Sequence, residues 1–130
     1  MIRCVLSAAL LASALLLAAP PAAAQLARPF PATALRGTLE VTQPPLALLN
    51  SQPARLSPSV RIRAANNLIV VSGTLVGQPV VVHYTLEPSG QLHDVWILRE
   101  DELAKKPWPT TPEQARQWSF DPAAQAWTRP

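Results

Sequence analysis

Cysteine, glycine, aromatic residues and charge are all scarce in this sequence of 130 residues. Its one cysteine excludes a fold held together by internal disulfides. Only 5% of the residues are aromatic and 15% are charged, which is low for a nucleic-acid-binding protein, whereas the hydrophobic content of 48% is too high for a disordered tail. The length suits one domain. We therefore expect a single small folded domain with no nucleic-acid partner.

The sequence also lacks the short motifs of common enzymes. It has no glycine-rich phosphate loop, no G-x-S-x-G and no H-E-x-x-H. Two histidines cannot form a three-histidine catalytic zinc site, and no serine has the setting of an activated nucleophile. A hydrolase that acts through Asp94 would need a pocket around that carboxylate and is the least favoured hypothesis. The sequence predicts a non-enzymatic protein without a cofactor.

The first 24 residues have the pattern of a cleavable signal peptide. Arg3 precedes an uncharged run, whose apolar part from Val5 to Ala19 has 15 residues, fewer than the ~20 that a membrane-spanning helix needs. Small residues lead up to Ala24, where we expect cleavage. Cys4 precedes the apolar run, so it is misplaced for a lipid-modified cysteine. We expect a periplasmic or secreted protein with no stable membrane span after cleavage; the alternative is an uncleaved anchor.

Cleavage would leave 106 residues with a net charge of +2, too little to predict a nucleic-acid or anionic-membrane partner. Residues 25–33 contain Pro29 and Pro31, which predict an extended leader that precedes the fold. Residues 34–130 are expected to form a single β-rich domain.

Apolar residues recur with a period of two after Ala34, which predicts strands. The first predicted strand carries Leu35, Leu39 and Val41 and ends before two prolines. Asn50-Ser51 is expected to be a two-residue hairpin turn because asparagine tolerates a positive φ.

A second predicted hairpin turns at Asn66-Asn67. In that register Ala64 faces Ile69 and Ile62 faces Val71, which gives one apolar face and leaves the flanking arginines on the other.

The third predicted hairpin joins residues 80–86 to residues 91–98 through a type I turn with a glycine bulge at Gly90. The simplest register pairs Leu86 with Leu92, and it then places Tyr84 opposite Asp94 and Val82 opposite Trp96.

One short helix completes the predicted fold. Residues 99–103 suggest a single helical turn, and Thr111 is a good N-cap for a helix that begins at Pro112 and runs to about Trp118, with Gln114 at the capping-box position. The predicted fold class is mainly β: a small antiparallel sheet of consecutive hairpins with one short C-terminal helix.

Two histidines offer a candidate metal site. His83 and His93 are diagonal neighbours in the predicted third hairpin, and Glu87 lies in its turn. Diagonal side chains are ~7–8 Å apart, which a small metal ion could bridge. The other interpretation is that both imidazoles lie on a solvated face. A periplasmic metal-binding protein is therefore the alternative function.

The leading functional hypothesis is an interaction module of the cell envelope. Strand edges offer unpaired backbone groups that recruit extended segments, and Arg55, Arg61 and Arg63 would form an anion-facing patch. Trp108, between two prolines, is either an exposed recognition residue or a residue that pins the connection to the sheet. The expected partner is an envelope protein or polymer of unknown identity.

Part of the C-terminal half follows a recognisable pattern. It has Gly90 in a turn, Asp94-Val95 in the next strand, and W-x-F-x-P-A at Trp118, Phe120, Pro122 and Ala123, all within the 44 residues from Val80 to Ala123. This stretch resembles the C-terminal domain of TonB-type periplasmic proteins, and the resemblance implies an α+β fold as the alternative. The energy transducers of that family keep a membrane anchor and a long proline-rich spacer, neither of which is expected here, so ion-gradient coupling is not implied. The whole sequence also resembles small exported bacterial proteins of unknown function, which implies export alone.

Overall fold

The structure, a computed structural model, describes residues 27–130, so the predicted signal peptide lies outside the described residues. The chain within that range is mainly β, as predicted. Its strands are β1 Leu35–Val41, β2 Leu46–Leu49, β3 Gln52–Arg63, β4 Ile69–Val70, β5 Val80–Leu86, β6 Leu92–Ile97, β7 Ser119–Asp121 and β8 Ala126–Thr128. Its α-helices are α1 Glu100–Leu103 and α2 Pro112–Gln117, and a 3₁₀ turn covers Ser72–Leu75.

Five strands form a sheet that closes on itself in the order β1-β2-β3-β6-β5 and back to β1. All neighbours in this ring are antiparallel except β3 and β6, which are parallel. The closed sheet is therefore not built from consecutive hairpins alone, because β1 pairs with β5 across the sequence. β4 extends the ring as an edge strand paired with β3.

Two predicted turns are confirmed. Asn50 and Ser51 both have positive φ angles, 52° and 65°, as a two-residue hairpin loop between β2 and β3 requires. Gly90 has a φ of 86° and its N–H donates to the carbonyl of Glu87. The residue types in these two loops were therefore sufficient to predict their turns.

The predicted register of the β5–β6 hairpin is wrong beyond its first pair. Leu86 does face Leu92, but Tyr84 faces Val95 and Val82 faces Ile97. A bulge places two residues of β6, His93 and Asp94, opposite the single residue Thr85, whose Oγ1 accepts a hydrogen bond from the backbone N–H of Asp94. Every later side chain of β6 consequently changes face.

The predicted register at Asn66-Asn67 is wrong by one residue. Arg63 faces Ile69 and Ile62 faces Val70, because only Asn67 takes a positive φ (68°) and the loop is longer than two residues. β4 ends after two residues and the 3₁₀ turn follows. The slip moves Ile69 from the predicted apolar face to the outer face beside Arg63.

The closed sheet has a core inside and a second apolar layer outside. The inner core is a cluster of buried residues from all five ring strands, among them Leu39, Ile62, Val82 and Val95. The outer layer contains Phe30, Ala34, Leu98, Trp108 and Trp127. The segment predicted as an extended leader thus lies against the sheet, with Phe30 5% exposed.

Helices form where they are predicted, at α1 and α2, but the capping box of α2 is only half formed, because Oε1 of Gln114 accepts from the backbone N–H of Thr110 and not from that of Thr111. Thr111 caps α2, and its hydroxyl accepts a hydrogen bond from the backbone N–H of Gln114. The backbone after α2 folds into the hairpin β7–β8, which carries Trp127 into the outer layer.

Candidate interaction surface

Large apolar side chains are exposed in and directly beside the edge strand β4. Leu68, Ile69 and Val71 are 66%, 60% and 72% exposed. Among the strands that the structure describes, β4 pairs with β3 alone, so it has one unpaired side. We call the surface formed by these three residues with Arg61 and Arg63 the edge patch.

Two arginines of β3 border these apolar side chains. Arg63 lies opposite Ile69 on one side and opposite Trp96 of β6 on the other, and Nη1 of Arg63 is 4.0 Å from Oδ1 of Asp94. Arg61 is exposed and faces Asp94 across the parallel pair. A guanidinium presents a planar fork of donors that fits a carboxylate, so the patch combines apolar contact area with anion-binding groups.

Arg55, the third arginine of the predicted interaction surface, lies elsewhere. It pairs with Leu46 of β2 in the first half of β3, and the strand is irregular between Leu56 and Arg61. Arg55 is exposed, as expected, but the structure does not bring it to the edge patch.

Trp108 is buried and therefore is not part of an exposed surface. Its side chain is 5% exposed, its ring stacks on His83 with centroids 4.0 Å apart, and its Nε1–H donates to the carbonyl of Ala34 at 2.9 Å. The guanidinium of Arg36 lies over the indole, 5.6 Å from its centroid. The structure therefore confirms the second interpretation of the sequence, in which Trp108 pins its connection to the sheet. The ring of His83 supplies the aromatic face on which the indole stacks, and the carbonyl of Ala34 accepts the indole N–H.

Glu87 and His93, two of the predicted metal ligands, lie together in a polar cluster at the β5–β6 turn. Oε1 of Glu87 is 3.1 Å from Nδ1 of His93 and accepts hydrogen bonds from Oγ of Ser57 at 2.5 Å and Oγ of Ser59 at 3.1 Å. The bond from Ser57 is the main cause that lowers the pKa of Glu87. The carboxylate thus lies between the serine and the imidazole, whereas an activated serine would bond to the imidazole itself.

His83, the third predicted metal ligand, lies apart from that cluster. It is fully buried, and it contacts Phe30, Trp108 and Arg36. The bulge of β6 shifts the register, so that His83 lies opposite Trp96. His83 and His93 are therefore not the diagonal neighbours that the sequence predicted. Within residues 27–130, no group of three or more His, Cys, Asp or Glu side chains is placed to hold a metal ion.

Sequence reasoning missed four residues that carry the most specific contacts of the outer layer. They are Arg28, Phe30, Glu102 and Gln125, all at most 7% exposed. The one signal in the sequence is the alternation of Arg28 and Phe30 with Pro29 and Pro31, which is typical of an extended segment with one face buried. Nothing local relates these residues to Glu102 or Gln125, which are 74 and 95 positions away.

Comparison with protein-family models, with curated proteins and with solved structures found no match for this chain. In the part of the chain described here, from residue 27 onward, no helix has the length and apolar character needed to cross a bilayer.

Proposed function

We propose that this protein is a non-enzymatic interaction module of the cell envelope, periplasmic or secreted, that binds an extended segment of a partner protein at the edge patch. The observation that carries the proposal is the 60–72% exposure of Leu68, Ile69 and Val71 around a strand with one unpaired side. Exposed apolar residues in one contiguous group are typical of protein-binding surfaces, whereas single exposed ones are ordinary.

The edge patch suits a partner that adds a strand beside β4. In strand addition, backbone hydrogen bonds supply affinity and alternate side chains supply specificity. Ile69 would contact apolar side chains of the incoming segment, and the guanidinium groups of Arg61 and Arg63 would attract its carboxylates. The preferred segment is therefore extended and carries both apolar and acidic residues.

The polar cluster supports a role without catalysis. Ser57 donates its hydrogen bond to Glu87, and His93 contacts the same carboxylate and not the hydroxyl, so the Ser–His contact of an activated serine is not formed among these residues. The signal peptide predicted at residues 1–24 supports a location in the envelope.

A capture experiment with paired charge reversals tests this function. We expect a photo-crosslinker at Val71 of the mature protein to capture a discrete partner from envelope extract. The double variant Ile69→Ser/Arg63→Glu should lose that product by about tenfold or more, because it removes apolar area and reverses a charge at the patch.

The matched control is Arg55→Glu, which makes the same charge change at the other end of β3. It should retain the crosslinked product. If both variants lost the crosslinked product equally, capture would depend on net charge and not on the edge patch. If the unmodified protein gave no crosslinked product, the proposal would be wrong.

A further inference from the structure

The N-terminal segment of the domain lies in a groove on the outer face of the closed sheet. We call residues 27–33 the arm. The alternation along it is that of an extended segment, with Arg28 and Phe30 buried at 6% and 5% exposure and Pro29 and Pro31 exposed. The groove, which we call the arm groove, is lined by His83, Trp96, Glu102, Trp108 and Gln125.

One end of the arm groove binds a guanidinium. Nε of Arg28 donates to Oε2 of Glu102 at 2.9 Å, and Nη2 donates to Oε1 of the same carboxylate. Nη1 donates to the carbonyl of Ala64 at 3.1 Å, and Nη2 also donates to the carbonyl of Ile97 at 2.8 Å. This two-point pairing with a buried carboxylate, with carbonyls at the remaining donors, is specific for arginine over lysine.

The middle of the arm groove is an aromatic cage. The ring of Phe30 meets three aromatic rings edge to face, with centroid distances of 4.4 Å to His83, 5.4 Å to Trp96 and 6.0 Å to Trp108. The guanidinium of Arg28 lies 5.3 Å from the centroid of Phe30. Such contacts favour a phenyl ring over an aliphatic side chain of similar size.

The groove also binds the backbone of the arm. Oε1 of Gln125 accepts the N–H of Phe30 at 3.0 Å, and Nε2 of Gln125 donates to the carbonyl of Phe30 at 3.2 Å. Proline has no N–H, so Phe30 supplies the one amide donor between Pro29 and Pro31, and this N–H is shared between Gln125 of the groove and the carbonyl of Arg28 within the arm, 3.1 Å away.

We propose that the arm groove is a peptide-recognition site for an extended partner segment with arginine two residues before phenylalanine, and that the arm is its displaceable occupant. A charged anchor, an aromatic anchor and a two-point backbone contact are together what a peptide site provides. The prolines restrict the free arm and so lower the entropy lost on docking. This second site has its own anchors, and it borders the edge patch where Arg63 lies opposite Trp96.

Within residues 27–130, a small cavity and one buried nitrogen without a hydrogen bond lie beside the arm. A cavity of about 30 Å³ remains, lined by residues that include Phe30, His83 and Lys105. Nδ1 of His83 is buried without a hydrogen-bond partner among the described residues. An incoming segment that brings an acceptor to this nitrogen would gain a contact that the arm does not make.

Cutting the arm from the folded protein tests the proposal. A protease site inserted between Ala32 and Thr33, both exposed, leaves the folded chain intact until cleavage. After cleavage, we expect the severed arm to exchange at 1:1 stoichiometry with a fluorescent peptide of residues 27–33. A peptide with Arg28→Ala and Phe30→Ala should bind at least about tenfold more weakly, since it lacks both anchors.

A second measurement avoids the insertion. The full mature chain with Phe30→Ala should bind the labelled peptide of residues 27–33 at least about tenfold more tightly than the unmodified chain, whose own arm competes at a high effective concentration. Unfolding on cleavage, failure of the severed arm to exchange, or equal binding of the doubly substituted peptide would show that the arm is a fixed part of the outer layer and would overturn the proposal. Ile69→Ser alone, which alters the edge patch but keeps Arg63 beside Trp96 of the groove, should leave exchange unchanged, so the two proposals can fail separately.

Discussion

The Nε–H of Arg36 donates a hydrogen bond to Nε2 of His83 at 3.1 Å. A guanidinium has donors and no acceptor, so Nε2 must carry the lone pair and the ring proton of the neutral imidazole must lie on Nδ1. Burial is the main cause that lowers the pKa of His83 from 6.5 to about 2, and the positive charges of Arg36 and Arg28 add to it. Arg36 thus fixes the tautomer of the imidazole, and burial together with the two arginines keeps it neutral.

The stability of the protein should fall as the pH falls below about 6.5. His83 stays neutral in the folded chain, whereas the unfolded chain takes up a proton there, so acid favours unfolding. The free energy of unfolding should be about 1.4 kcal/mol lower at pH 5.5 than at pH 7.5 from this group alone. Urea denaturation at the two pH values measures the difference.

His83→Gln should abolish most of this pH dependence, whatever its effect on stability at pH 7.5. His93→Gln is the matched control because His93 is half-exposed and lies in the polar cluster. An unchanged slope in His83→Gln would show that another group causes the acid sensitivity.

Replacing Trp108 by phenylalanine should lower the free energy of unfolding by about 1–3 kcal/mol. The change removes the indole N–H that donates to the carbonyl of Ala34, a fully buried residue, and leaves that oxygen without its donor. Urea denaturation followed by circular dichroism measures the loss. Trp118→Phe, at a half-buried position, should lower the free energy of unfolding by less. In a variant that retains only Trp108, iodide should quench the tryptophan fluorescence poorly. Strong quenching would mean that Trp108 is exposed.

Gly37→Ala should destabilise the closed sheet by about 1–2 kcal/mol. A Cβ at Gly37 would lie 2.9 Å from Oδ1 of Asn50 and 3.1 Å from Cε1 of Tyr84. The side chain of Asn50 would then have to move away from the backbone N–H of Thr38, to which it is bonded at 2.9 Å. Thermal unfolding gives the comparison with Gly73→Ala.

Gly73 is the control because a Cβ there would meet no atom within 4 Å. Its substitution should change stability by no more than about 0.5 kcal/mol. If both variants lost a similar amount of stability, crowding by neighbouring atoms would not be the reason for glycine at position 37.

Ser57→Ala should raise the pKa of Glu87 towards its ordinary value. The hydroxyl of Ser57 makes the main hydrogen bond that favours the ionised carboxylate, and Ser59 makes a weaker contribution. A carboxyl-carbon NMR titration should therefore show a larger rise in the pKa of Glu87 for Ser57→Ala than for Ser59→Ala. A larger rise in Ser59→Ala would reverse the order of these two bonds.

Local sequence determined the elements whose conformation depends on a few adjacent residues. Asn50 and Ser51 form their turn because a tight hairpin needs positive φ angles, and Thr111 caps α2 because its hydroxyl reaches the N–H of Gln114. The alternation of apolar and polar side chains along β3 also predicts that its arginines lie on the outer face. The cleavage at Ala24, the export and the resemblance to TonB-type domains stay predictions.

Tertiary structure decided which faces these elements present and what covers them. A single bulge at His93 and Asp94 moved Trp96 to the outer face, and the slip after Arg63 exposed Ile69. Strand periodicity cannot reveal either shift, since one extra residue exchanges the two faces of a strand without altering its pattern of side chains.

Residue types alone were enough to predict a small β-rich chain with hairpin turns at Asn50 and Gly90. The closure of the sheet, the burial of His83 beneath Trp108 and the pairing of Arg28 with Glu102, 74 positions away, follow only from the folded chain. A turn is selected by backbone conformations within a few residues, whereas burial and ion pairing depend on surfaces that meet only after the chain has folded.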